Sequence, residues 1–252
     1  NNDIDSRQEV AFEEYKNFLE TMPLLKSMHD MHPNHIHEEV ELQAMDFSTY
    51  LPEWLAYVPE WRDYYLNHDQ INHYKYLKDI LKAMQFIKGP KKWVLKSPQH
   101  LEQIPALLKT FPDATFVITY RDPLSVVLST ATMLSYGDRV RRYTVEPKNN
   151  FNYWQNRIQI LLEKFTNDYK LIPLDQKIDI FFDDLIKDNL NSIKKIYSKN
   201  SLSFNNLANN EIREYMNSNQ RGKHGQVIYN LEDFNVDKLE FYQSFKFYFD
   251  TF

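Results

Sequence analysis

The sequence contains no cysteine and only four glycines among its 252 residues. Without cysteine, the chain can form neither a disulfide framework, nor a thiolate metal site, nor a cysteine nucleophile. So few glycines leave little material for glycine-rich loops or for a sandwich of short strands joined by tight turns. The composition therefore excludes small disulfide-stabilised folds and cysteine-dependent enzymes.

An excess of basic residues and a long apolar run are also missing. The formal net charge is −5, so we expect neither nucleic acid nor an anionic membrane as a partner, and any anion site must be local. No apolar run approaches the ~20 residues of a membrane span, and no signal peptide is recognisable. We therefore expect a cytoplasmic protein. The first residue is Asn1 rather than methionine, which is compatible with an upstream segment.

The first third of the chain has the periodicity of helices. The apolar content of 42% is sufficient for a sizeable core, and 15% of the residues are aromatic. Residues 7–28 predict an amphipathic helix, residues 39–65 several short helices interrupted by prolines, and residues 69–87 a further helix capped by Asp69. We expect residues 1–90 to form a largely helical segment.

Beyond residue 90 the pattern changes to that of an α/β protein. Residues 93–95 and 114–120 predict strands, residues 101–110 predict a helix between them, and residues 178–182 predict a third strand. A strand, helix and strand within thirty residues form a βαβ unit, which builds a parallel sheet flanked by helices. Residues 91–252 are therefore expected to form the α/β core with C-terminal helices, in one domain with the preceding segment.

Two predicted junctions between a strand and a helix carry residues suited to anions. The first has Lys96 and Ser97 at the strand tip and His100 opening the next helix; the second has Arg121 at the tip and Ser129 two turns into the helix. Ligands of open α/β sheets bind at such strand ends, where helix amides are unpaired. Each junction also has a simpler explanation, because Arg121 before Asp-Pro is typical of a helix cap and His100 could satisfy a buried amide.

The strings at these junctions resemble the PAPS-dependent sulfotransferases, particularly their bacterial-type branch; PAPS is 3′-phosphoadenosine 5′-phosphosulfate. Residues 93–101 read WVLKSPQHL, residues 111–114 FPDA and residues 120–123 YRDP, with a serine eight positions after the arginine. Further on, residues 182–185 read FDDL, residues 221–225 RGKHG and residues 229–234 YNLEDF. The resemblance covers residue 91 to the end and implies a parallel sheet like that of P-loop NTPases, with residues 1–90 on the substrate side.

The resemblance implies a set of nucleotide ligands. Arg121 and Ser129 would bind the 3′-phosphate of PAPS, and a loop formed by Arg221, Gly222 and Lys223 would close over the same phosphate. Ser97 is a further cofactor-binding candidate. Phe182 stands where relatives often have tyrosine, so it could stack on adenine; a core aromatic is the alternative.

The reaction implied is transfer of a sulfuryl group from PAPS to a hydroxyl or amine of a small molecule, glycan or lipid, with no metal. Lys96 would neutralise charge on the leaving oxygen, and His100 is the leading candidate for the base. Other branches use a glutamate, so Glu38, Glu39 and Glu41 remain rivals. Aromatic residues between positions 47 and 76 could line an acceptor cleft or pack the helices together.

One element of the family is missing from the sequence. No stretch supplies the P-loop-like turn whose amides bind the 5′-phosphosulfate, since none of the four glycines follows an early strand and opens a helix. We therefore expect the natural protein to have an upstream segment, and this chain alone to bind PAPS weakly and to catalyse poorly.

Three other functions remain open. A non-catalytic relative could keep the nucleotide site without the chemistry. A metal-dependent hydrolase could use the cluster His29, His32, His35 and His37 with Glu38 and Glu39, although Pro33 interrupts a helix there. A kinase-like P-loop enzyme would share the sheet, but its phosphate-binding motif and magnesium carboxylate are not evident.

Overall fold

The computed structural model describes residues 6–252, and this part of the chain is mostly helical. Its α-helices are α1 (Ser6–Thr21), α2 (Leu25–Met28), α3 (Val40–Ala44), α4 (Leu51–Leu55), α5 (Pro59–Asn67), α6 (Ile71–Lys88), α7 (Ile104–Thr110), α8 (Pro123–Arg141), α9 (Pro147–Asp168), α10 (Phe182–Lys187), α11 (Asn189–Lys199), α12 (Asn206–Ser218), α13 (Lys238–Ser244) and α14 (Lys246–Phe249). The strands β1 (Phe116–Tyr120) and β2 (Lys177–Phe181) pair in a two-stranded parallel sheet.

The long helices and both strands of this sheet agree with the periodicity of the sequence. The Asp69 carboxylate accepts a hydrogen bond of 3.0 Å from the Ile71 amide at the start of α6. The predicted first helix is divided at Pro23 into α1 and α2, because proline lacks the amide that a helix interior needs. The predicted helix 101–110 is a 3₁₀ turn, Pro98–Glu102, followed by the shorter α7.

The predicted strand at residues 93–95 is wrong. These residues have no regular secondary structure, and the Val94 side chain is 95% exposed. A strand requires a neighbour that pairs with its amides and carbonyls. Within residues 6–252 no backbone segment pairs with residues 93–95, so their β-branched and aromatic side chains do not suffice to form a strand.

The described residues form two compact units, each assembled from separate stretches of the chain. The first unit contains the residues up to Ile36, Arg121–Asn156 and Phe181–Phe241. Its buried centre includes Phe151, whose ring contacts those of Phe234 and Phe241 at centroid distances of 5.4 and 6.0 Å. The buried residues of α8 are mostly small or aliphatic, and Val127 and Ala131 are fully buried.

The second unit contains His37–Tyr120, Arg157–Ile180 and Tyr242–Phe252. Tyr65, Tyr74 and Leu77 are completely buried in it, where α6 packs against α7. A domain boundary at residue 90 stays a prediction. The units nevertheless show that residues distant in sequence build each core together, which determines where the predicted site residues lie.

The end of β1 is held by a carboxylate of β2. Asp179 accepts hydrogen bonds from the hydroxyls of Tyr120, at 2.6 Å, and Tyr169, at 2.7 Å. Burial raises the pKa of Tyr120, and its bond to the Asp179 carboxylate raises it further, so Tyr120 stays protonated as a donor. This contact fixes the last residue of the strand, directly before Arg121.

Candidate functional site

Arg121 follows β1 directly and lies at the entrance to α8. The Asp122 carboxylate accepts a hydrogen bond of 3.1 Å from the Leu124 amide, so Asp122 and Pro123 form the helix cap that the sequence also suggested. Arg121 itself is exposed, and its guanidinium carbon lies 4.6 Å from the centre of the Phe182 ring. Among residues 6–252, no carboxylate forms an ion pair with Arg121, so its fork of donors is available to an anion.

Ser129 lies on α8, two turns beyond the cap. Its hydroxyl is 3.1 Å from the Tyr229 hydroxyl, and either oxygen can donate in this contact. Sequence reasoning identified Ser129 but assigned no role to Tyr229; the aromatic at the start of YNLEDF was the only available signal. Arg121, Ser129, Phe182 and Tyr229, all in the first unit, are called the Arg121 group below.

The loop 221–225 is exposed and turns tightly at its two glycines. Gly222 has φ +79° and Gly225 φ +102°, and the Gly225 amide donates a bond of 2.9 Å to the Gly222 carbonyl. Arg221 and Lys223 project from this turn as exposed cations. No hydrogen bond joins either of them to Arg121 or Ser129 in the described chain; the residue after the loop that contacts α8 is Tyr229.

His100 is bonded through both ring nitrogens. Its Nε2 is hydrogen-bonded to Glu39 Oε1, and its Nδ1 lies 2.7 Å from the hydroxyl of the fully buried Tyr74. An ionised carboxylate can only accept, so Nε2 carries the proton toward Glu39, and in the neutral ring Nδ1 accepts from Tyr74. Glu39, Tyr74, Lys96 and His100, all in the second unit, are called the His100 group below.

Glu39 is a buried carboxylate that is nevertheless ionised. Burial alone would raise its pKa, but the hydrogen bond and charge interaction with His100, together with the bond from the Lys96 amide, leave the pKa of Glu39 below its ordinary value. The Lys96 amide lies 2.8 Å from Glu39 Oε2. Both carboxylate oxygens are thus engaged, and Glu39 is present as the proton-accepting form at neutral pH.

The remaining predicted residues of this region have different surroundings. The Lys96 side chain is 71% exposed and forms an ion pair with Glu38. Ser97 is buried, beside the Tyr50 hydroxyl, and its own hydroxyl lacks a hydrogen bond of standard geometry within the described residues. Glu41 pairs with His37 at 3.4 Å instead of joining the His100 group.

A comparison with protein families identifies the chain. The model described as the sulfotransferase family matches residues 3–206. The chain belongs to this family. The match includes the Arg121–Ser129 segment and the whole His100 group and ends before the loop 221–225, whose role therefore stays a prediction.

Two solved structures resemble this chain in fold. One is a sulfotransferase from Mycobacterium avium, with TM-score 0.81 and 17% identity, covering 99% of this chain and 64% of that one. The other is a sulfotransferase from Mycobacterium tuberculosis, with TM-score 0.70 and 22% identity, covering 94% of this chain and 64% of that one. The chain thus spans 64% of the length of either structure, and its α/β fold is that of the sulfotransferases. No curated protein sequence matched the chain.

Two other features of the described residues bear on the alternative functions. Among residues 6–252, no group of three or more histidine and carboxylate side chains is arranged to hold a metal ion. Within the predicted histidine cluster, the His32 ring packs edge-on against Phe12 and Tyr15, which accounts for its position without a ligand. No helix in the same residues is both long and apolar enough to cross a bilayer.

Proposed function

We propose that the protein transfers a sulfuryl group from PAPS to a hydroxyl or amine acceptor. The observation that carries this proposal is the Arg121 guanidinium, which stands exposed at the end of β1 without a carboxylate partner among residues 6–252. A guanidinium fork matches the oxygens of a phosphate, and the hydroxyls of Ser129 and Tyr229 add donors on the same unit. These groups fit the 3′-phosphate of the donor. The half-exposed Phe182 ring provides a surface for adenine beside them.

The His100 group supports a base made of two residues. His100 was the leading candidate in the sequence, but both of its nitrogens are engaged, while Glu39 is ionised and shares a hydrogen bond with it. We propose that the Glu39–His100 pair, rather than His100 alone, accepts the proton of the acceptor hydroxyl. Tyr74 then holds the ring in the orientation that keeps Nε2 toward Glu39.

The transfer balances as follows. A bond forms between the acceptor oxygen and sulfur while the bond from sulfur to the bridging phosphate oxygen breaks, and the acceptor proton moves to the ionised Glu39 carboxylate, which stays hydrogen-bonded to His100 Nε2. Lys96 is the cation of this group that meets the charge developing on the leaving oxygen, after its exposed side chain separates from Glu38.

We further propose that the phosphosulfate loop lies outside these 252 residues. The unpaired residues 93–95 and the 64% coverage of the solved structures support a missing neighbouring strand. The same observations favour a second candidate function, in which the chain by itself binds the nucleotide without transferring the sulfuryl group. Full PAPS-dependent turnover by the 252-residue chain would contradict the missing loop.

Titration calorimetry with adenosine 3′,5′-bisphosphate tests the nucleotide site. Arg121→Ala should weaken binding about 10- to 100-fold, because a hydrogen bond to a charged group contributes about 1.5–3 kcal/mol. Adenosine 5′-monophosphate lacks the 3′-phosphate and should bind both proteins alike. Arg213→Ala removes an exposed arginine of α12 and serves as the matched control. Equal losses for both nucleotides would contradict the assignment.

Release of the bisphosphate from PAPS, measured with a panel of phenol, alcohol and amine acceptors, tests the transfer. Glu39→Gln and His100→Gln should each lower kcat at least 100-fold, since each removes one half of the proposed base. Bisphosphate binding without transfer by any acceptor would favour the non-catalytic candidate. Full activity of Glu39→Gln would leave His100 alone as the base.

A further inference from the structure

A buried arginine joins the turn that carries His100 to two other elements. Arg157 of α9 is 1% exposed, and its Nε donates to the Glu53 carboxylate at 3.0 and 3.2 Å. Its terminal nitrogens donate to Glu102 at 2.8 and 2.6 Å in a bidentate pair. Glu53 lies on α4, and Glu102 is the last residue of the Pro98–Glu102 turn. All of these residues belong to the second unit.

The turn is held on both sides of His100. Before it, the completely buried Gln99 accepts from the Thr49 hydroxyl at 2.9 Å and donates to Gln43 at 2.7 Å. After it, Glu102 is fixed by Arg157. A 3₁₀ turn rises about 2 Å per residue, so Glu102, two residues after His100, lies about 4 Å further along the same turn, and holding Glu102 restrains the backbone at His100.

The arginine is required by charge as well as by geometry. Two carboxylates buried without a cation would be strongly unfavourable, so removing Arg157 would leave two uncompensated charges in the interior. The negative charge of Glu102 also affects Tyr74, a member of the His100 group. Burial raises the pKa of Tyr74, and the nearby Glu102 and Glu39 charges add to that rise, which keeps the Tyr74 hydroxyl protonated toward His100.

We propose that Arg157 and Glu102 are positioning residues that set the His100 ring against Glu39. The bidentate pair fixes the end of the turn, the turn fixes the His100 backbone, and Tyr74 then fixes the ring. Neither residue is proposed to touch the donor or the acceptor. The kinetic part of this inference rests on the proposed role of the Glu39–His100 pair.

Two isosteric variants distinguish an effect on the position of His100 from the effect of losing one buried carboxylate. Glu102→Gln and Glu53→Gln each remove one carboxylate from the same arginine and leave one cation with one anion, so both are expected to fold. Only Glu102→Gln acts on the turn. Lys164→Met provides a further control, because Lys164 lies on the same helix and donates to the Leu66 carbonyl instead of to the turn.

NMR of the histidine ring nitrogens and their protons reports on the hydrogen bonding of His100, and the measurement does not require catalytic activity. We expect a protected Nε2 proton signal in the wild-type chain that His100→Gln removes. Glu102→Gln should shift or broaden this signal, Glu53→Gln should affect it much less, and Lys164→Met should leave it unchanged. An identical response to Glu102→Gln and Glu53→Gln, or no response to either, would overturn the inference.

Kinetics of the same variants provide the second readout. Glu102→Gln should lower kcat at least tenfold with an unchanged KM for PAPS, and its affinity for adenosine 3′,5′-bisphosphate should not change. Loss of thermal stability with unchanged kcat per folded molecule would show a merely structural role and overturn the inference. If neither this chain nor a longer chain that carries the phosphosulfate loop transfers a sulfuryl group, the proposed function fails while the NMR result still decides the positioning.

Discussion

The Arg121 group and the His100 group differ in how many of their charged side chains have a charged partner within the described residues. In the Arg121 group the cation contacts an aromatic face and the hydroxyls contact one another, so its donors are available to an incoming anion. In the His100 group, and in the ion pairs of Arg157 with Glu53 and Glu102, nearly every charged side chain already has a buried or half-buried partner. In the proposed function, the first group is completed by the bound nucleotide, whereas the second is already assembled in the folded chain.

The largest expected effect that tests this contrast is on stability. Arg157→Met leaves two buried carboxylates without a cation and should lower the free energy of unfolding by about 3–5 kcal/mol. Arg121→Ala should change it by less than about 0.5 kcal/mol, because an exposed side chain is lost. Urea denaturation of both variants measures the difference. Similar losses in the two variants would break the comparison.

A second test removes the two hydroxyls of the Arg121 group and measures the affinity for the nucleotide. Tyr229→Phe and Ser129→Ala should each weaken binding of adenosine 3′,5′-bisphosphate about 3- to 10-fold, since each removes one hydrogen bond of about 0.5–1.5 kcal/mol. Tyr215→Phe, an exposed tyrosine of α12, is the control. Calorimetry that finds unchanged affinity in Tyr229→Phe would remove Tyr229 from the group.

The third test measures how the stability of the folded chain depends on pH in the acidic range. The pKa of Glu39 is lowered in the folded chain relative to its ordinary value of 4.5, so the unfolded chain binds the proton more readily. The stabilisation by Glu39 is therefore present above pH 4.5 and is lost as the pH falls through the folded pKa. Denaturation midpoints between pH 7 and pH 3.5 should fall more steeply in the wild type than in Glu39→Gln. Parallel profiles would show that Glu39 is not held as an ion.

The smallest expected effect lies in the exposed loop. Gly222→Ala meets no close atom, but its φ of +79° is unfavourable for any residue with a Cβ atom. We expect a loss of stability of about 1 kcal/mol and weaker binding of adenosine 3′,5′-bisphosphate. Gly89→Ala has a similar φ of +85° and lies outside both groups, so it should share the first effect and not the second. Equal binding by both variants would exclude the loop from the site.

Features governed by neighbouring residues were predictable from the sequence. The cap formed by Asp122 and Pro123 places Arg121 at the start of α8, and the spacing to Ser129 follows from helical geometry. The family was recognised from short strings that include these junction residues. The family match confirms that recognition.

Contacts between distant residues were not predictable in the same way. Glu39 and His100 were both candidates, yet nothing in the sequence pairs residues 61 positions apart. Arg157 lies 104 positions from Glu53 and 55 from Glu102, and nothing in the sequence joins the three residues. The prediction of a strand at residues 93–95 was wrong for a related reason, because a strand forms only when another segment of the chain pairs with it.

The buried trio of Arg157, Glu53 and Glu102 also has an evolutionary consequence. The trio contains one cation and two carboxylates, so replacing Arg157 alone leaves two buried carboxylates without a cation, whereas replacing one glutamate leaves a balanced ion pair. Descendant sequences can therefore leave this arrangement stepwise if a glutamate is lost before the arginine. Homologues that keep the arginine with a single glutamate should occur, and a homologue that keeps both glutamates without the arginine should be rare.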